Sequence, residues 1–140
     1  MSTAHFYERR HAYFASANDL VDLCHGAAKA SGWWTDLATG KFTCTGPGEE
    51  PKVSIPEKLM LIVSEVAEAM EGHRKDLMDD KLPHRKMIEV ELADAAIRIF
   101  DLAGGIGLDL AGAIVEKLEF NAQRADHKLE NRKAEGGKKY

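Results

Sequence analysis

The sequence predicts an all-α fold, and three observations lead to it. Apolar residues recur at helical spacing through most of the chain, as in "NDLVDLCHGAAKA" (18–30) and "LMLIVSEVAEAMEG" (59–72). Caps and breakers punctuate these stretches: Pro56, Pro83 and Asp109 at entrances, Ser31-Gly32 and Gly104-Gly105 at exits. Strand signals are absent outside one Gly-, Pro- and Thr-rich segment. With 140 residues the chain is long enough for one domain with a real core and too short to expect two.

In chain order, residues 18–30 carry Leu20, Val21, Cys24, Ala27 and Ala28 on a helical pattern that closes at Ser31-Gly32. Residues 4–15 form an extension of that helix or a separate short one, and about 1–16 is counted as an N-terminal extension. "WWTDLATGKFTCTGPGEEPKVSI" then supplies a long loop over 35–55, a length that points to function or flexibility. A second helix runs over 57–79, with Pro56 in its first turn and Glu57 at the positive end of the dipole. A third runs over 84–103. A fourth runs from about Asp109, its N-cap, to about Arg132, and 133–140 is a flexible tail. The expected architecture is four main helices in a single domain, 1–140.

The composition narrows the function classes. A hydrophobic fraction of 44% and a charged fraction of 30% fit an ordinary globular protein. A net charge of −4 argues against a nucleic-acid binder held by bulk electrostatics. No apolar run is long enough to cross a bilayer, so no membrane partner is expected. "MSTAHFYERRHAYF" lacks the features of a signal peptide, and Cys24 and Cys44 form neither a metal-binding spacing nor a disulfide framework. The expected compartment is the cytoplasm, with both thiols reduced.

The chemistry lies in two acidic pairs. Among the twelve residues 59–70 only Ser64, Glu65 and Glu68 are not apolar. Residues at i and i+3 share a helix face, so Glu65 and Glu68 project together, as do Glu91 and Asp94 in "IEVELADAAIRIF". If the helices pack antiparallel across "DDKLPH", the pairs face one another near mid-helix. Such carboxylates repel or protonate unless a cation neutralises them. Oxygen ligands without His or Cys suit Mg²⁺, with Mn²⁺ as a substitute.

"E65-V-A-E68" followed by "E91-L-A-D94" resembles the E-x-x-E…E-x-x-D signature of the MazG-like, all-α nucleoside triphosphate pyrophosphohydrolases, over about residues 18–128. The resemblance implies a four-helix MazG-like bundle in which Glu65, Glu68, Glu91 and Asp94 hold Mg²⁺. It further implies hydrolysis of a (deoxy)nucleoside triphosphate to the monophosphate and pyrophosphate by an activated water. Glu68, or Glu65, would orient that water or take its proton.

On the fourth helix Lys117, Asn121, Arg124 and Lys128 fall at i, i+4, i+7 and i+11, continuing the face of Leu110 and Ile114. A core-facing stripe that turns cationic suits phosphate oxygens. Family members carry a similar Lys…Asn…Arg series, so Lys117, Asn121 and Arg124 are candidate substrate ligands. The "GGKKY" tail also looks like basic family tails that close over phosphates. His25 and Trp34, in "HGAAKASGWW", offer ring and edge contacts to a nucleobase. A helix-end His followed by Trp is similar to the base pocket of the dCTP pyrophosphatase branch. The competing reading makes a tryptophan core and His25 a capping residue. Asp79 and Asp80 are expected at a helix end in solvent.

Helices apolar on several faces in so short a chain imply burial against another subunit, hence a homodimer or homotetramer (a dimer of dimers). Two rival functions remain. One is a non-catalytic nucleotide-binding or protein-interaction dimer. The other is a ferritin-like di-iron bundle, disfavoured because neither acidic pair is Glu-x-x-His.

Overall fold

The computed structural model describes residues 3–43 and 52–138, with side chains from Tyr7 onward. Cys44, most of the second half of the 35–55 loop and the last two tail residues lie outside the described residues. The helices are α1 (Thr3–Ala30), α2 (Ile55–Lys75), α3 (Met87–Gly105), α4 (Leu110–Gln123) and a short α5 (Leu129–Lys133), with a 3₁₀ turn at Ala125–His127 between the last two. Among the described residues there is no strand, only isolated bridges at Thr35–Phe42 and Met78–Lys86. The fold is all-α. Residues 4–15 and 18–30 form one continuous helix. By internal contacts the chain divides into two compact units, Leu20–Leu108 and Met1–Asp19 with Asp109–Tyr140.

In the unit Leu20–Leu108, α2 and α3 pack antiparallel, with Lys58 beside Asp101 and Gly72 beside Met87. Small residues allow the close approach: Ala69 and Ala95 are buried, and a Cβ on Gly72 would meet the Met87 Cβ at 2.8 Å. Ser54 caps α2 by accepting the Glu57 N–H, and Pro56 lies in the first turn, as expected.

The helix ends earlier than the pattern through "KDLMDD" implies. Asp76 adopts a left-handed φ of 49°, and its N–H bonds the Gly72 and His73 carbonyls. Asp79 is consequently not at a solvated helix end. It is buried in the connection, where its carboxylate accepts the N–H groups of Lys81 (3.0 Å) and Leu82 (2.6 Å). Asp80 is exposed.

Gly104 and Gly105 close α3 as expected, Gly105 being its last residue. They are small because side chains pack on them. A Cβ on Gly105 would lie 2.1 Å from the Trp34 ring, and one on Gly104 2.6 Å from the His25 Cβ. Gly107, just past the helix, takes a φ of +70°. The start of the expected loop is a tight turn: Asp36 accepts the N–H groups of Ala38 and Thr39, and Gly40 takes φ +67°.

In the other unit Asp109 caps α4, accepting the Gly112 N–H at 2.8 Å. Ala111 and Val115 are its buried residues, and Arg10 pairs with Glu119 at 2.7 Å. The helix stops at Gln123 rather than near Arg132. Arg124 turns extended and its guanidinium binds Asp126 through two bonds, at 2.9 and 2.6 Å. Residues two apart do not face each other on a helix, so this pairing requires the break. Lys128 therefore does not continue the face of Lys117 and Asn121.

Candidate functional site

The antiparallel α2–α3 pair carries a polar seam along otherwise small and apolar residues. At one end Lys58 Nζ lies 3.8 Å from Asp101 Oδ2. One turn of α3 earlier, Arg98 Nε donates to Glu65 Oε1 at 2.8 Å. Beyond that pair Glu65, Glu91 and Asp94 each offer a carboxylate oxygen, all within 4.8 Å of one another. Glu65 and Glu91 are buried, and Asp94 is less so.

The electrostatics match this crowding. Burial, a hydrogen bond with Glu65 and the charges of Glu68, Glu65 and Asp94 push the Glu91 carboxyl up to about 7. Asp94 is raised by burial and by Glu65, an effect opposed by Arg98 and reinforced by Asp79. Arg98 alone cannot balance three carboxylates. A protein without a cation there must instead keep a proton on the group. The donor set is all oxygen and strongly anionic, which fits a hard divalent cation.

Glu68 is exposed and outside the three-carboxylate group, yet near enough to Glu91 to raise it. Three of the four acids expected at a metal are therefore brought together, and the fourth stands beside them in the open.

The aromatic side of the expected site is arranged differently from its sequence reading. Trp34 is 0% exposed, with its Nε1–H donated to Asp101 Oδ1 at 2.6 Å. Its ring is a core element with no face left for a base. The exposed tryptophan is its neighbour Trp33, at 77%. His25 Nδ1 lies 3.0 Å from the same Asp101 oxygen, and its ring stands edge-on to Trp34 with centroids 5.2 Å apart. Lys58 Nζ sits 4.1 Å from the Trp34 centroid. Burial, then Asp101, pushes the neighbouring Cys24 thiol up.

In the other unit Lys117 is exposed, with its ammonium 4.9 Å from the Phe120 centroid. Asn121 Oδ1 is buried without a hydrogen-bond partner among the described residues. Arg124 is committed to Asp126, which accounts for its raised pKa.

Sequence reasoning passed over Asp101, Arg98 and Lys58 and placed Asp79 in solvent. A signal existed for three of them. Arg98 and Asp101 are i+4 and i+7 from Asp94, and Lys58 is seven residues before Glu65, so extending each acidic face by two turns reaches them. Asp79 carried no such signal, because its burial follows from the connection's turn geometry. Compared with family models, with curated proteins and with solved structures, the chain shows no match in any of the three. Among the described residues, no helix is long and apolar enough to cross a membrane.

Proposed function

We propose that the protein is a Mg²⁺-dependent, MazG-like nucleoside triphosphate pyrophosphohydrolase, converting a (deoxy)nucleoside triphosphate to the monophosphate and pyrophosphate. The observation that carries this reading is the convergence of Glu65, Glu91 and Asp94, from two helices, within 4.8 Å. Glu65, Glu91 and Asp94 would hold the metal, with Mn²⁺ as a substitute, and Glu68 would complete the set from the open side. Bound Mg²⁺ supplies neutralisation of phosphate charge and acidification of water.

The chain's own residues have separate roles in this reading. Glu68, solvated and beside Glu91, is the group that orients the attacking water or takes its proton. Asn121 Oδ1, an acceptor without a partner among the described residues, suits a sugar hydroxyl, and the exposed Lys117 suits a phosphate oxygen. Arg124 would join only by leaving Asp126. His25 would meet the base, with Trp34 and Asp101 as the rigid wall that orients it.

A bundle assembled as a homodimer or dimer of dimers belongs to the same proposal. Leu59, Val63, Val66 and Met70 form an exposed apolar stripe on α2 at i, i+4, i+7 and i+11, which supports a partner subunit there.

The test is pyrophosphate release from a panel of ribo- and deoxynucleoside triphosphates, with Mg²⁺ and with EDTA, for wild type and Glu68→Ala. Metal-dependent release that the substitution lowers by about 100-fold or more is expected. Folded protein that binds Mg²⁺–nucleotide yet releases no pyrophosphate would mean a binding module instead.

A further inference from the structure

Arg98 occupies the position where a cation belongs. Its Nε bonds Glu65 Oε1 at 2.8 Å, on one of the three carboxylates that converge between α2 and α3. It lies one turn from Asp94 on the same helix. Two features separate it from a fixed structural pair. Among the described residues the guanidinium makes its bond to Glu65 through Nε alone, although a guanidinium can bind a carboxylate through two parallel bonds. Its side chain is also 43% exposed, whereas that of Glu65 is 9% exposed. The carboxylate is buried in the seam, whereas much of the Arg98 side chain is open to solvent.

We propose that Arg98 is an exchangeable counter-ion: it holds Glu65 until a divalent cation arrives, leaves that carboxylate, and then binds the anion that the metal carries. This inference rests on the metal reading above. Its physical basis is competition. A dication and a guanidinium cannot both sit against Glu65 without repelling each other, and the divalent charge interacts more strongly with three carboxylates. Once displaced, the long side chain remains anchored at Asp94's helix face, within reach of phosphate oxygens beside the metal. Its planar fork of donors is suited to them. Metal binding thereby creates the anion site, and metal and polyphosphate bind with positive coupling.

Two affinities of opposite sign test the exchange. Arg98→Gln removes the competitor, so Mn²⁺ alone, followed by its EPR signal, is expected to bind about tenfold tighter than to wild type. Inorganic pyrophosphate in saturating Mg²⁺, followed by calorimetry, is expected to bind about tenfold weaker. In wild type the Arg98 Nε–H resonance should shift on adding Mg²⁺ and again on adding pyrophosphate, a readout that needs no variant. Mn²⁺ affinity that is unchanged or weakened in Arg98→Gln, or a resonance that does not respond to Mg²⁺, would make Arg98 a permanent structural partner and overturn the exchange while leaving the metal reading intact. Absence of Mn²⁺ binding to wild type and variant alike would overturn both.

Discussion

The sharpest consequence of the acidic cluster concerns the metal-free protein at alkaline pH. Glu91 is buried among Glu65, Glu68 and Asp94, and its carboxyl titrates at about 7 against an ordinary 4.5. The folded state therefore holds this proton more tightly than the unfolded chain does. Stability is fully present below about 4.5 and is lost as pH rises through about 7. At about 1.4 kcal/mol for each tenfold change in proton affinity, complete ionisation costs at most about 3 kcal/mol. The neighbouring carboxylates stay crowded when Glu91 alone is relieved, so that change recovers about half of that.

Glu91→Gln keeps the shape and the donor to Glu65 and cannot ionise. In EDTA at about pH 8.5 it should melt about 5 °C above wild type, and at about pH 5 the two should melt together. Circular-dichroism melts across that range provide the assay, and Mg²⁺ should raise the melting temperature of wild type much more than that of the variant. If Glu91→Gln lowers the melting temperature at alkaline pH, or if the wild-type melt is flat between the two, Glu65, Glu91 and Asp94 do not crowd a desolvated site and the electrostatic argument fails.

The remaining predictions concern packing and assembly. Trp34→Phe should cost about 1–3 kcal/mol, because Asp101 loses its indole donor, whereas Trp33→Ala should leave the melting temperature nearly unchanged. Gly105→Ala should destabilise by about 1–3 kcal/mol or more, since the new Cβ meets the Trp34 ring at 2.1 Å; thermal melts check both. Val66→Glu, on the exposed α2 stripe, should convert a dimer into a monomer in sedimentation velocity, and a wild type that sediments as a fully active monomer would remove the assembly proposal.

The carboxylate pairing was legible because it depends on local periodicity. Glu65, Glu91 and Asp94 occupy fixed faces of helices whose apolar pattern is unambiguous, and a short connection leaves them little choice but to pack antiparallel. The two tryptophans were not legible. Trp33 and Trp34 are adjacent in a turn without periodicity, so only the tertiary contact with Gly105 and Asp101 decides which is inside. The end of α4 was missed for a similar reason. The helical pattern continues past Gln123, but the Arg124–Asp126 bond competes with it and the helix breaks.

The sequence by itself determined the all-α class, the helices' existence and which acids share a face, since helical spacing and capping act over a few residues. Only the tertiary structure decided that Asp101 ties His25 and Trp34 together, that Asp79 is buried, and that Arg98 sits on Glu65. The first and last of those relations join residues far apart in the chain, and close packing of α2 on α3, permitted by Ala69, Gly72 and Ala95, sets which residues of these helices meet.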